Sequence, residues 1–482
     1  MPNYLPDHSA DTLFVGGSLE SLLPENSVAR VIWDVLSELD FSRFDRNYRN
    51  DEEGRPAIDP RRLAGVWIVA MVRGISSSMV VEWLCETDIE MRWMSGDAQV
   101  HKSTLCQFRK AHIKELSHLS TQILAALARS GMVPGEELAI DGTVIRAAAS
   151  CNATCTRGQL KRRIEKLDKL IQTKLVEPDA GQEKVGRVVK RKARLDRALA
   201  EMTELGLVDD AQRMTVTEPE ASLKKLKNRQ FAPAHNVQVV TDTASGAIVS
   251  TEVVEQANDQ GQLLSQVNNG KEELERVEQL LSGADKHVGP VKSATADSAY
   301  HDTLQLVKLE GEMETYVPDG QTTRRPPGVS DEFLSEAFHY DPQTDTMICP
   351  QGRPMKRRKM NKRNTAVSYE AEAKVCKACP LKSECCPRAK GGRTVNRPLY
   401  QEVVKAVAER VNSQRGRRCK MARWVVVEGA FARLVELMNW RRCRTWGKAG
   451  AQAEALWRQI THNLMLLIGR WKPLVLKEAA TG

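Results

Sequence analysis

The spacing of apolar residues changes at Glu137, and this change limits the possible folds more than any other feature of the chain. From Leu23 to Gly131 the apolar positions recur every three to four residues, as helices require. From Glu137, in ELAIDGTVIRAA, apolar and polar residues alternate and β-branched side chains enter, which reads as a strand or hairpin. Alternation returns in AHNVQVVTDTASGAIVSTEVVE, where two β-rich runs flank Thr243-Ala244-Ser245-Gly246, a hairpin signature. Between them, residues 158–227 are highly charged and mostly helical, with a break near Pro178. An amphipathic helix follows in QGQLLSQVNNGKEELERVEQLL, and further strands in VKSATADSAY and ETYVPDG.

The resulting order is strand, helical insertion, two strands, helix, strand, helix, strand. That mixed α/β order fits an RNase H-like sheet. It does not fit a dinucleotide-binding sheet, because no Gly-rich loop follows the first strand. At 482 residues the chain has room for two to four domains. Five segments are expected: a tail over 1–20, a helical domain over 21–132, the first part of the core over 133–317, a loop-like basic Cys-rich insertion over 318–399, and a helical C-terminal part over 400–482. In the helical domain, Asp59-Pro60 reads as a helix start, and Ser76, Ser77, Ser78, Ser103 and Thr104 read as caps.

The positive charge is concentrated. Residues 351–420 carry 20 basic and five acidic side chains, a net of +15 against +9 for the whole chain, so the remainder is net acidic. Such concentration is expected of a phosphate-binding surface. No apolar run reaches the roughly 18 residues of a membrane span, and the first residues lack the pattern of a secretory leader, so a cytoplasmic protein without membrane contact is expected. Eleven cysteines in such a chain should be reduced, metal-bound or buried.

Three carboxylates stand out by context. Asp141 follows an apolar strand in LAIDGT, Asp297 ends another in SATADSAY, and Glu428 lies in the apolar helical stretch WVVVEGAFARL. Acids at the ends of adjacent strands can converge on Mg²⁺, a hard cation that prefers oxygen ligands. Taken singly, an Asp ending a strand is more often a turn or cap residue. Glu402, Glu409 and Glu436 are nearby alternatives to Glu428 but lack its E-x-x-F context.

Taken together, IDGTVIRAAAS, TEPEASLKKLKNRQFAPAHNVQVVTD, NDQGQLLSQV with ATADSAYHD, CKACPLKSECC, RWVVVEGAFARL and QITHNLMLL resemble, in order, the motifs of DDE transposases of the IS1182 group, within the wider IS4/IS5-like class. The resemblance runs through nearly all the chain. It implies an RNase H-like core with Asp141, Asp297 and Glu428 holding two Mg²⁺ or Mn²⁺ ions. It also implies DNA partners, namely the element's terminal inverted repeats and a target, and a homodimer on DNA. The helical segment 21–132 would read the element ends, with Arg109 and Lys110 as DNA contacts. Three departures are visible: where relatives often carry a Tyr, an Arg and a Lys around the Glu, this chain has Met421, Trp424 and Val435. Arg423 and Arg433 are the neighbours placed to supply the missing cations. An inactive DNA-binding descendant and a non-transposing metal nuclease are the alternative functions.

Cysteines and arginines form two further clusters. Cys349, Cys376, Cys379 and Cys385 follow C-x26-C-x2-C-x5-C, with Cys386 able to replace Cys385, a spacing compatible with structural Zn²⁺. Arg357 and Arg358 are candidate phosphate contacts in the same basic segment. In NWRRCRTWGK, Arg441, Arg442 and Arg444 are phosphate candidates. Trp440, Trp446 and Trp457 either pack in a core or stack on unpaired bases. His235, Cys151 and Cys155 read as structural.

Overall fold

The computed structural model describes residues 5–471 apart from 9–10, 12–16, 47, 49–55, 177–181, 227–228, 257, 284, 321–327 and 362–364. The expected break near Pro178 therefore lies outside the described residues. The chain divides into two compact units: Met1–Asp259 with Asn269–Pro290 and Trp424–Gly482, and Gln260–Asn268 with Val291–Arg423.

The first unit opens with helices α1 (Leu19–Leu22), α2 (Val28–Glu38), α3 (Ser42–Asp45), α4 (Pro60–Val72), α5 (Ser78–Thr87), α6 (Ile89–Met94), α7 (Lys102–Ala111) and α8 (Ile113–Arg129). Asp59 caps α4 as expected: its carboxylate accepts from the Arg61 N–H at 2.8 Å, with Pro60 in the first turn. Ser27 caps α2 in the same way. The other caps differ from expectation. Ser77 precedes α5 without a side-chain cap bond, and α7 starts after His101, ahead of Ser103 and Thr104. Leu63, Val66, Trp67, Ile68 and Met71 of α4 are buried, so this helix forms the centre of the layer.

Next come β1 (Glu137–Arg146), β2 (Thr154–Thr156), α9 (Arg157–Val176), α10 (Gln182–Glu204), β3 (Arg213–Thr215), β4 (Ser222–Lys225), β5 (Phe231–Asp242), β6 (Ile248–Val254) and α11 (Leu263–Leu280). β5 pairs antiparallel with β1 along one edge, Asp141 lying opposite Val239. β4 and β6 share its other edge. The β5–β6 hairpin turns at Gly246, whose φ of +71° is left-handed and suits glycine. The charged insertion is helical as read, but it also contains β3, which pairs with β2 just ahead of it, and strand β4.

The second unit holds β7 (Ser293–Thr295), α12 (Thr303–Leu309) and β8 (Glu314–Tyr316), with β7 and β8 parallel. The segment read as loop-like is instead an antiparallel sheet of β9 (His339–Asp341), β10 (Thr346–Ile348), β11 (Pro354–Met360), β12 (Ala366–Glu370) and β13 (Thr394–Pro398). Two short helices, α13 (Ala373–Lys377) and α14 (Lys382–Cys385), join its last strands, and α15 (Gln401–Asn412) follows. Met347, Met355, Val367, Tyr369 and Val395 supply its small core.

Helix α16 (Gln414–Phe431) leads into the last helix, α17 (Gly447–Leu467), which is buried on nearly every side. One face of α17 closes the outer edge of β6. The Val253 N–H donates to Gln452 Oε1 at 2.8 Å, and the Ile248 N–H to Asn463 Oδ1 at 2.9 Å. Asn463 Nδ2 returns a bond to the Ile248 carbonyl at 2.8 Å, and Gln459 Nε2 donates to the Val249 carbonyl at 3.0 Å. Among the described residues no helix is long and apolar enough to cross a membrane.

Asn463→Leu keeps the branched shape and heavy-atom count and removes both bonds to Ile248, leaving buried backbone groups unpaired. We expect a loss of about 2–4 kcal/mol in chemical denaturation. A wild-type midpoint would show that the β6 edge does not need this helix.

Candidate active site

Strand β1 sets the direction of Asp141. Side chains alternate across a strand, so Ala139 and Asp141 share one face and Ile140 and Gly142 the other. Ala139 is buried against Val426 and Val427 of α16, with Phe431 packed on the same cluster. Glu428 is the residue after Val427 and is exposed. The first unit therefore carries Asp141 and Glu428 on two elements that pack together. Asp141 is half-buried and accepts from the Gly142 N–H at 2.8 Å. Just past Glu428 the helix widens into a π-helical turn, Ala432–Leu437, an irregularity frequent at functional sites.

Asp297 belongs to the second unit. It follows the fully buried strand β7 and caps the turn Ser298–Tyr300, accepting from the Ala299 N–H at 2.8 Å. Both its expected settings, strand end and cap, are thus present. Among the described residues, no group of three or more His, Cys, Asp or Glu stands in an arrangement that would hold a metal ion. What fits a hard divalent cation is the donor chemistry: carboxylates that are exposed or half-buried, able to keep water beside the ion.

Behind β1 lies a polar cluster that the sequence reading missed. The Asp259 carboxylate takes bonds from Asn236 Nδ2 at 3.0 Å and Gln238 Nε2 at 2.7 Å, both side chains of β5. It sits so close to Gly142 that a Cβ there would lie 2.4 Å from Asp259 Oδ1. Any side chain after Asp141 would have to displace the Asp259 carboxylate and the Gln238 amide, and a Gly directly following a strand-borne acid was the available signal. Lys224 of β4 is buried near this cluster, and its Nζ has no hydrogen-bond partner among the described residues. Burial pushes its pKa down to about 8, against the pull of Asp259.

Because the folded-state pKa of Lys224 lies below the free value of 10.5, the penalty is full below about pH 8 and fades as pH rises toward 10.5. Lys224→Met should therefore stabilise the protein at pH 7, by at most about 3 kcal/mol, and should flatten the gain in stability between pH 8 and 10. Denaturation midpoints at pH 7 and 9.5 measure both effects. A destabilised variant at pH 7 would mean that the ammonium is compensated in the fold.

The expected DNA contacts separate by burial. Arg109 is a correction: it is only 4% exposed, lies over the Trp67 ring and donates to the Ser76 carbonyl at 2.7 Å. It holds helices together and cannot reach a phosphate. Lys110, beside it, is exposed. Arg357 and Arg358 are exposed, paired with Asp345 at 2.9 Å and Glu370 at 2.6 Å. Arg423 is half-buried, and Arg433 stacks on Trp471 with burial lowering its pKa. Arg441 is exposed and paired with Glu436, whereas Arg442 spends its guanidinium on the carbonyls of Ala147 and Ala148. Trp424 is exposed, and Val435 packs against the main core. His235 is buried against Glu218, the Nε2–Oε1 distance being 2.9 Å.

Cys349, Cys376, Cys379, Cys385 and Cys386 line one cavity of about 350 Å³ in the second unit. The Cys376 sulfur accepts from the Arg393 N–H at 3.3 Å. Burial, then the neighbouring Cys386, push the Cys385 thiol up to about 11. No three of the thiols converge to ligating geometry as they stand.

Two regions of the chain match known family models. Residues 17–111 match a transposase domain (DUF772), and residues 348–468 match a transposase DDE domain. No curated protein and no solved structure matches the chain. The first match covers helices α1–α7, and the second runs from the Cys-rich sheet through Glu428 to the end of α17. The chain thus carries regions similar to transposase domains near both ends, the second of them a DDE domain, in the order that its motifs imply.

Proposed function

We propose that this protein is an insertion-sequence transposase that binds terminal inverted repeats, cuts there, and joins the freed 3′ ends to target DNA. The observation that carries the reading is the packing of the Glu428 helix on the Asp141 strand, within a chain bearing transposase domains. The strands around Asp141 are read as an RNase H-like core, with Asp297 as the third acid.

The chemistry needs no protein nucleophile. A water oxygen attacks phosphorus at the element end, and the bond to the 3′ oxygen breaks, leaving a 3′ hydroxyl and a 5′ phosphate. That hydroxyl oxygen then attacks a target phosphorus and displaces the target's own 3′ oxygen. Divalent ions, when bound, lower the pKa of the attacking group and neutralise charge on the leaving oxygen. Asp141, Asp297 and Glu428 are the residues to hold them. The protein's share is positioning and charge complementarity. Asp141 is fixed by the backing of its strand, and Glu428 by Val426 and Val427 beneath it. Two element ends require two active sites, so the working form is a homodimer on DNA.

One observation favours a second reading, DNA binding without cleavage. The positions where relatives often carry Arg and Lys hold an exposed Trp424 and a packed Val435.

Purified protein, Mg²⁺ or Mn²⁺, and labelled DNA containing the natural flanks of the coding region decide between them. Defined cuts by the wild type, reduced at least about a hundredfold in Asp297→Asn with binding retained, are expected. Equal cleavage by the variant removes Asp297 from the site. Binding without cutting by the wild type establishes the second reading.

Cys349, Cys376, Cys379 and Cys385 we assign to a structural Zn²⁺, supported by the cavity that they share. Taking up the ion requires thiol deprotonation and side-chain rotation. Protein purified without chelator should contain about one zinc per chain, and zinc content near zero would refute the assignment.

A further inference from the structure

Of the three tryptophans near the C-terminal arginines, two are structural. Trp440 and Trp457 are fully buried, their ring N–H groups donating to Glu454 at 3.1 Å and to the Arg109 carbonyl at 3.0 Å. Trp446 is different: 58% of it is exposed. An exposed indole on a mobile loop would be unremarkable, but this loop is fixed from below. The Glu454 carboxylate, wholly buried, also accepts from the Arg444 N–H at 2.6 Å, the Thr445 N–H at 2.7 Å and the Thr445 hydroxyl at 2.8 Å. On the other side of Trp446, the Gly447 N–H donates to buried Glu218 at 3.0 Å and the Lys448 N–H to Glu220 at 2.8 Å. The backbone on both sides of the indole is thus held by carboxylates.

The same loop is docked on the strand of the first acid. Arg442 bridges to Arg146, and the Cys443 N–H donates to the Arg146 carbonyl at 2.8 Å. Arg146 is five residues beyond Asp141, about 16 Å along the strand. Beside Trp446, Arg444 is exposed, and its guanidinium has no ion pair among the described residues. A rigid exposed aromatic flanked by a free arginine is the arrangement that binds unpaired nucleic acid, through base stacking and a phosphate contact.

We propose that the loop 440–447 is a binding site for an unpaired DNA strand, with a base stacked on Trp446 and a phosphate on Arg444. The choice of DNA rests on the transposase reading, while the site itself rests on the loop. It gives the protein a hold on strand ends that duplex binding does not provide.

The test uses the full chain without chelator and without added Mg²⁺ or Mn²⁺, so that binding is read without cleavage. The probes are a blunt duplex and the same duplex with a short 3′ overhang containing 2-aminopurine, whose fluorescence falls on stacking. The wild type should prefer the overhang and quench it. Trp446→Ala should lose the quenching and weaken overhang binding about tenfold, with blunt-duplex affinity unchanged. Trp446→Phe should keep most of both. Arg444→Gln should lower the salt slope of overhang binding by about one. Thermal unfolding of each variant checks folding. Equal affinity of the wild type for both probes, or full quenching by Trp446→Ala, would overturn the proposal. Absence of metal-dependent cleavage by the wild type would instead count against the transposase reading and leave the binding result standing.

Discussion

The first unit depends on the closure of the β6 edge by α17. An edge strand facing a helix inside a core has backbone groups that neither water nor another strand can satisfy. Gln452, Gln459 and Asn463 recur at seven and four residues, so they lie along one helix face, and they bond to β6 residues from Ile248 to Val253. His462 adds a bond between Nε2 and the Gly246 carbonyl oxygen at 3.0 Å, and burial drives its pKa down to about 3, so it pins the hairpin turn as a neutral ring. The opposite side of α17 meets the N-terminal helices: Trp457 bonds to the end of α7, and Thr461 lies against Met71 of α4. One helix therefore serves both the sheet and the N-terminal layer. That is why regions at the two ends of the sequence, each matching a transposase domain, share one core.

The carboxylates of this unit divide by solvent access. Glu218 and Glu454 are almost wholly buried and take several hydrogen bonds each, anchoring loops beside β1 and before α17. Asp242 has bonds from Ser245 and Gly135, yet burial still pushes its pKa up to about 6. Such groups can hold a backbone in place but have no room for a hydrated cation. Asp141, Asp297 and Glu428 are half-buried or exposed, so their carboxylates can face water. Ion binding demands that access, because a carboxylate sealed from solvent has no room for the water that a hard cation keeps beside it.

How much of this was legible in the sequence follows from the same physics. β1, the β5–β6 hairpin and α11 were readable because burial of one or both faces imposes a periodic pattern. The Cys-rich sheet was not. In β11, PMKRRKM, only Met355 is buried, so no alternation marks it as a strand. Its pairing is written in backbone bonds and in a core gathered from five short segments. Asp141 and Glu428 stood out by motif, yet the polar cluster behind β1 did not: Asp259, Asn236 and Gln238 come from two distant segments, and only Gly142 hinted at close approach. Arg109 failed for a related reason, because charge counting cannot see the Trp67 ring beneath a guanidinium.

That failure bears on how the basic segment 351–420 can act. Its arginines differ in what they would give up to bind phosphate. Arg410 is bound by both nitrogens to Glu310, at 2.9 and 2.5 Å, in a partly buried pair. Breaking it would leave a carboxylate poorly solvated, so it is fixed. Arg357 and Arg358 pair with Asp345 and Glu370 in solvent. Exposed pairs of that kind contribute about 0–1 kcal/mol, so exchanging a carboxylate for a phosphate costs little. Asp345 would keep two partners after such an exchange, the hydroxyls of Tyr369 and Tyr340. The net charge of the segment therefore overstates its phosphate capacity. Arg357 and Arg358, on the exposed strand β11, are arginines of the segment that could exchange partners at little cost, on a sheet that already pairs its own backbone.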